Sequence, residues 1–166
     1  YLPEDLVFNI DYLGAEQLNF TMNFSKPASH IVAQYYQLIR LGRSGYTSIM
    51  RNLTKTADYL TSQLQELGFI IMSEGAGKGL PVVAFRLSPT QNVIFDEWAL
   101  ARKLRERGWI VPAYTMAADC EEMGMMRAVV RTDFSMGRCV SLVRDVRDAL
   151  ADLAGMEIRN IQRYQA

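Results

Sequence analysis

The sequence has few of the residues from which metal sites and proton relays are built. It contains a single histidine, His30, among 166 residues, which excludes multi-histidine metal sites and histidine relays. Its two cysteines, Cys120 and Cys139, form no CxxC motif, and their spacing is not that of a disulfide framework. A globular chain of this length buries roughly 70% of the surface that its unfolded form exposes, so it needs no disulfide or metal to fold.

An excess of one charge sign and long apolar runs are also absent. Eighteen basic and eighteen acidic residues give a formal net charge of +0, so no overall field favours nucleic acid or a membrane surface. No apolar run approaches the roughly 18 residues of a membrane span, and no signal peptide opens the chain, so we expect a cytoplasmic protein. The chain starts at Tyr1 and not at methionine, so we expect an excised fragment whose chemistry lies partly outside it.

The apolar periodicity predicts two helices followed by the order β-β-α-β-β-α. This order indicates an α+β fold, with helices on one face of a mostly antiparallel sheet. A broad apolar stripe on the first helix predicts that it is largely buried, and the tail from Met156 to Ala166 lacks a core pattern, which predicts a loosely held end. The predicted elements are strands or ordered loops in 1–24, helices at about 27–41 and 46–67 with a break between Gly42 and Gly45, strands at 69–72 and 82–87, a helix at 95–107, a strand that begins at 109–111, a strand at 126–131, and a helix at 136–153.

Several residues suggest a site and are better explained without one. The glycine-rich segment 74–79 has the wrong spacing for a phosphate loop and joins two predicted strands, which favours a hairpin loop. His30 has no acid or cysteine at a supporting spacing, so we expect it at the surface or in a cap. The acidic residues Asp119, Glu121 and Glu122 fit a solvated loop better than a cation site. The nearby methionines, Met123, Met125 and Met126, are expected to fill gaps in a core or an interface.

Arg127 is the strongest candidate for a functional residue. It lies in an otherwise apolar strand, where alternation places it on one face with Val129 and Arg131. An arginine in such a strand is costly unless it pairs with an anion. The partner is either a carboxylate of the chain itself or the carboxylate of a ligand, which a planar guanidinium binds in a bidentate manner.

Five segments together resemble glutamate decarboxylase, of the pyridoxal-phosphate-dependent decarboxylase family. The correspondence begins at Tyr1 and fades after about Leu153. The segments are FNIDYLG at 8–14, NFSKP at 23–27, AQYYQLIRLG at 33–42, GWIVPAYT at 108–115 and MRAVVRTDFS at 126–135.

The resemblance implies the C-terminal part of a fold-type I enzyme that uses pyridoxal 5'-phosphate. Residues 1–54 would end the cofactor-binding large domain and start the connecting helices, and residues 55–166 would form the C-terminal small domain. The family's lysine that forms the Schiff base belongs to a His-Lys motif, and none of the four lysines here follows a histidine. We therefore expect no catalytic residue of this kind in the chain, and an isolated fragment that is inactive.

Two positions match residues to which the family gives a role. Arg127 matches the arginine that binds the substrate α-carboxylate, and Ser25 matches a serine that contacts the cofactor phosphate from the neighbouring subunit. Asn23 and Thr21 lie close to Ser25 and would assist it. A hydroxyl before a helix N-terminus suits phosphate, because free backbone amides and the helix dipole both favour anions.

The resemblance implies L-glutamate as the substrate, 4-aminobutanoate and carbon dioxide as the products, and a homo-oligomer that is at least a dimer. Two alternatives stay open. The chain is part of a pyridoxal-phosphate decarboxylase for another amino acid, or it is a non-catalytic module that dimerises or binds a regulator.

Overall fold

The structure is a computed structural model, and it describes residues 8–10, 17–19, 27–76, 78–90, 93–117, 119–156, 160–161 and 164. Within this part of the chain the order of elements after the long first helix is β-β-α-β-β-α, as the sequence predicted. The elements are β1 (Phe8–Ile10), β2 (Gln17–Asn19), α1 (Ser29–Glu66), β3 (Ile70–Ile71), β4 (Val82–Arg86), α2 (Glu97–Glu106), β5 (Ala113–Thr115), β6 (Gly124–Val129) and α3 (Met136–Ala154).

The four C-terminal strands form one antiparallel sheet in the order β3-β4-β6-β5, and β1 pairs with β2 in a separate two-stranded sheet. Side chains alternate along β4 and β6, so that Val83, Phe85 and Met126 enter the core. Buried side chains of all three helices, among them Leu60, Leu100 and Val146, join the same core. The helices therefore cover one face of the sheet, which confirms the predicted α+β class.

Element α1 spans 38 residues and consists of two helices that join at a kink at Gly42. Gly42 has φ +56° and ψ −173°, a conformation that glycine adopts without the steric cost paid by other residues. The sequence predicted this interruption correctly, although the helical turns resume at once. The predicted division between residues 54 and 55 falls within the second half of α1 and stays a prediction.

The prediction that the first helix, at about 27–41, is largely buried is wrong. Within α1, the C-terminal half packs into the core, through Ala57, Leu60 and Leu64. Six apolar side chains of the first half are 60–66% exposed. They are Ile31, Val32, Tyr35, Tyr36, Leu38 and Ile39.

The sequence predicted a strand that begins at 109–111, whereas β5 begins at Ala113. Trp109 packs against Phe134, with 6.3 Å between the ring centroids. Pro112 has no N–H to donate, and regular pairing with β6 begins at the residue after it. The sequence pattern thus predicted this strand correctly but started it too early.

The prediction of a loosely held C-terminal end is wrong for the residues described there. Ile161 is buried in the core. The hydroxyl of Tyr164 donates a hydrogen bond of 2.6 Å to the Glu106 carboxylate on α2. One aliphatic contact and one polar contact thus attach the end of the chain to the domain, although helical periodicity in the sequence does not predict these contacts.

Candidate functional site

The strongest candidate for a functional residue lies on the face of the sheet opposite the helices. Arg127 lies on β6 directly across from Ala84 of β4, and alternation directs it away from the core that Met126 enters. Its side chain is half-buried, and its Nε atom is shielded from solvent. Val129, two residues further along the same face, is 52% exposed. The structure therefore places a guanidinium on a face that the helices leave accessible.

Tyr114 of β5 contacts this guanidinium. The Arg127 Cζ atom lies over the Tyr114 ring, 5.5 Å from its centroid, which is within the range of a cation–π interaction. Tyr114 stands opposite Met125, so it is a diagonal neighbour of Arg127 on the same face. The backbone N–H of Arg127 also donates to the Pro112 carbonyl at 3.4 Å. Arg127 is thus held by its own strand and by the segment that carries Tyr114.

Sequence reasoning missed Tyr114, because it predicted where this strand begins but not which residues of β6 its side chains face. One signal was available. An aromatic residue two positions after a proline, in an apolar segment next to a predicted arginine-bearing strand, is a candidate for stacking on that arginine.

Ser25, Thr21 and Asn23 lie outside the described residues, so their predicted contacts with a cofactor phosphate stay predictions. The described helix α1 begins at Ser29, and His30 is exposed in its first turn, which agrees with the predicted surface position.

The described lysines do not form a covalent site for an aldehyde cofactor. Lys103 Nζ lies 2.8 Å from Glu106 Oε2 and 3.7 Å from Asp152 Oδ2. The hydrogen bond to Glu106 raises the pKa of Lys103, so its amine stays protonated and is a poor nucleophile. Lys55 and Lys78 are both exposed to solvent. The described residues therefore fit the binding of a carboxylate better than the covalent binding of a cofactor.

The glycine-rich segment joins β3 to β4 as a hairpin loop and not as a phosphate loop. Its backbone is tied to α1, because the Ala76 N–H donates to Asp58 Oδ1 at 2.8 Å. Ala76 has φ +58°, a left-handed conformation that costs a non-glycine residue some energy. The carboxylate of Asp58 thus has a structural role in holding this turn.

The acidic residues Asp119, Glu121 and Glu122 are exposed. No group of three or more His, Cys, Asp or Glu residues suited to a metal ion occurs in the described part of the chain. Met125 and Met126 are buried, as expected for residues that fill gaps. Among the described residues, no helix is long and apolar enough to cross a membrane.

Comparison with known proteins assigns the chain to a family. Residues 1–88 match the pyridoxal-dependent decarboxylase conserved domain. The chain is 44% identical over 160 residues to glutamate decarboxylase 5 of Arabidopsis thaliana, and 43% identical over 159 residues to the glutamate decarboxylase of Petunia hybrida. Each match covers 95% of this chain and 31% of the relative. The chain thus spans about a third of the length of these relatives.

Solved structures agree with the sequence matches. A glutamate decarboxylase from Lactobacillus brevis superposes with a TM-score of 0.75 at 33% identity, covering 94% of this chain and 35% of that one. A sphingosine-1-phosphate lyase from Burkholderia pseudomallei shares the fold, with a TM-score of 0.62 at 17% identity. The resemblance seen in the sequence motifs is confirmed. The chain belongs to the pyridoxal-dependent decarboxylase family.

Proposed function

We propose that this chain is the C-terminal portion of a glutamate decarboxylase, which converts L-glutamate to 4-aminobutanoate and carbon dioxide with pyridoxal 5'-phosphate. Similarity to glutamate decarboxylases along 95% of the chain supports the choice of substrate. The observation that carries the proposal is the position of Arg127 on the accessible sheet face, stacked on Tyr114. An arginine held there suits the α-carboxylate of an amino acid.

Arg127 would bind the α-carboxylate through two parallel N–H···O bonds. Such a clamp does more than add affinity, because the orientation of the groups on Cα decides which bond breaks. By fixing the carboxylate, Arg127 would favour loss of carbon dioxide over loss of the α-proton. The cofactor, when bound, supplies an electron sink for the electron pair that remains on Cα. Ser25 is proposed to contact the cofactor phosphate from a neighbouring subunit.

The experiment uses the full-length protein that carries these residues, loaded with pyridoxal phosphate. We expect release of carbon dioxide and formation of 4-aminobutanoate from L-glutamate. Replacement of Arg127 by alanine is expected to lower kcat/KM for glutamate at least about a hundredfold, because a charge-assisted bidentate contact is lost. A normal kcat/KM in this variant would refute the role of Arg127, and a wild-type protein without activity on glutamate would refute the proposed substrate.

A decarboxylase specific for another amino acid is the main alternative, and a panel of amino acids in the same assay decides between them. The isolated chain is expected to release no carbon dioxide, because it has no lysine that follows a histidine. Robust turnover by these 166 residues alone would contradict this expectation.

We propose that the parent protein is a homo-oligomer, at least a dimer. The exposed apolar side chains on the first half of α1 support assembly, since an apolar patch of this kind commonly marks an interface. Light scattering of the full-length protein over a range of concentrations tests this, and a strict monomer would contradict it.

We also propose a cytoplasmic location. The thiols Cys120 and Cys139 are both free, as in most proteins of reducing compartments.

A further inference from the structure

The Arg127 guanidinium lies over the ring of Tyr114, with Cζ 5.5 Å from the ring centroid. We propose that Tyr114 is a positioning residue, whose ring holds the guanidinium ready for a carboxylate. The inference rests on the proposed function of Arg127 as the clamp for the substrate α-carboxylate. It adds a determinant of affinity that lies on β5, a different strand from Arg127.

The geometry fits a contribution from the ring and not from the hydroxyl. Arg127 Cζ lies 5.5 Å from the ring centroid, where the negative face of the ring attracts a cation. No hydrogen bond of the Tyr114 hydroxyl is found among the described residues, whereas the hydroxyl of Tyr164 is bonded to Glu106. The aromatic face is therefore the part of Tyr114 that acts on Arg127.

The position of the ring is itself well determined. Tyr114 pairs with Met125 in the register of β5 and β6, and the flanking pairs are Ala113 with Met126 and Thr115 with Gly124. Both Ala113 and Met126 are buried, so β5 cannot slip by one residue without exposing its core side chain. The sheet register thus places the Tyr114 ring next to the Arg127 side chain.

Holding the guanidinium matters because arginine carries several rotatable bonds, and fixing them on binding costs conformational entropy. A ring that stacks on the guanidinium removes part of this cost before the ligand arrives. Loss of the ring should therefore weaken ground-state binding of the carboxylate more than it slows the chemical step. Cation–π contacts of this type correspond to about a two- to thirtyfold change in affinity.

The test uses the full-length, cofactor-loaded protein with two measurements. The first is KM and kcat for L-glutamate. The second is the dissociation constant of glutarate, a dicarboxylate with no amino group, measured by calorimetry. Tyr114→Leu is expected to raise KM and the glutarate dissociation constant about two- to thirtyfold, with kcat within about twofold. Tyr114→Phe keeps the ring and is expected to match the wild type. Thr115→Val, on the same strand, serves as the control for changes in β5.

A double-mutant cycle separates positioning from a general structural effect. In the Arg127→Met background, Tyr114→Leu is expected to cause no further loss of glutarate binding, because the guanidinium that the ring holds is gone. The inference is wrong if Tyr114→Leu binds glutarate like the wild type, if Tyr114→Phe is as damaging as Tyr114→Leu, or if the loss persists in full without Arg127. Where Tyr114→Leu does not fold, Tyr114→Ile replaces it, since a β-branched side chain suits a strand.

If the proposed function is wrong, the measurements give a pattern that differs from the one expected if Tyr114 has no positioning role. A wild-type protein that binds glutarate through Arg127 but does not decarboxylate glutamate refutes the proposed reaction, while the cycle on glutarate binding still decides the role of Tyr114. A wild-type protein that neither decarboxylates glutamate nor binds glutarate overturns both.

Discussion

Glu97 and Gly124 approach each other so closely that a side chain on residue 124 would force Glu97 or Trp98 to move. A Cβ atom on residue 124 would lie 2.6 Å from Glu97 Oε2 and 2.8 Å from the Trp98 ring. Glu97 is almost fully buried, and its Oε1 accepts a hydrogen bond of 2.9 Å from the Leu87 N–H. The start of β6 thus packs directly on the first turn of α2, and Glu97 also holds the end of β4.

We expect Gly124→Ala to destabilise the protein by about 1–3 kcal/mol, because the added methyl group must displace the buried carboxylate or the indole ring. Urea unfolding measures the effect. Gly137→Ala is the matched control, since its Cβ would meet only Ser135 Oγ at 3.9 Å inside α3. The control should be neutral or stabilising by up to about 1 kcal/mol. Equal effects of the two substitutions would contradict this close approach.

The aspartates Asp145 and Asp148 lie one turn apart on α3 and differ in their surroundings. Asp145 Oδ2 accepts a hydrogen bond of 2.7 Å from the Trp109 indole N–H, and its side chain is 16% exposed. Asp148 lies 3.6 Å from Arg107 and is 49% exposed. Asp145→Ala is expected to cost about 1–3 kcal/mol, because it leaves the indole N–H without an acceptor. Asp148→Ala is expected to cost about 1 kcal/mol or less.

Thermal and urea unfolding of both aspartate variants test this difference. The expectation fails if Asp148→Ala is as destabilising as Asp145→Ala. The emission maximum of Trp109 gives a second readout, which should shift in the Asp145 variant alone.

Cys139 links stability to pH in the alkaline range. Its side chain is buried, with Sγ 3.9 Å from the Thr56 carbonyl oxygen, and burial raises the pKa of the thiol from 9.0 to about 11. The folded protein therefore keeps a proton that the unfolded chain loses between these values. Its contribution to the unfolding free energy is complete below pH 9 and falls by about 1–3 kcal/mol as the pH rises to about 11.

Unfolding free energies of the wild type, Cys139→Ala and Cys120→Ala from pH 8 to 11 isolate this effect. Lys103 and Tyr164 titrate in the same proteins, so their share cancels in the comparison. Cys139→Ala should show a shallower decline than the wild type, and Cys120→Ala, at an exposed thiol, should follow the wild type. Parallel curves for all three proteins would contradict the assignment to Cys139.

The hydrogen bond from Tyr164 to Glu106 attaches the C-terminal end to α2. The hydrogen bond from Lys103, and then that from Tyr164, lowers the pKa of Glu106, so the contact is fully present above about pH 4.5 and is lost as the pH falls below it. Tyr164→Phe is expected to cost about 1 kcal/mol and to speed amide exchange at Ile161. Tyr46→Phe, on α1, is the control. Unchanged exchange at Ile161 would refute the attachment.

The sequence by itself determined the structural features that depend on the local pattern of apolar residues and glycines. The order of elements, the bounds of α3 to within one residue and the interruption at Gly42 follow from helical and strand periodicity and from the conformational freedom of glycine. Strand alternation also predicted that Arg127 and Val129 lie on one face of β6. These features need no knowledge of distant parts of the chain.

Only the tertiary structure decided which of these side chains meet. Sequence periodicity places Asp145 and Asp148 on the same helical surface, yet Asp145 accepts a hydrogen bond from Trp109, 36 residues away. The apolar stripe on α1 predicts burial but not whether another element covers it, and here its first half stays exposed. Tyr114 reaches Arg127 because pairing of β5 with β6 begins after Pro112. Contacts between residues far apart in sequence depend on strand register and on which faces pack together, and neither is encoded in a local pattern.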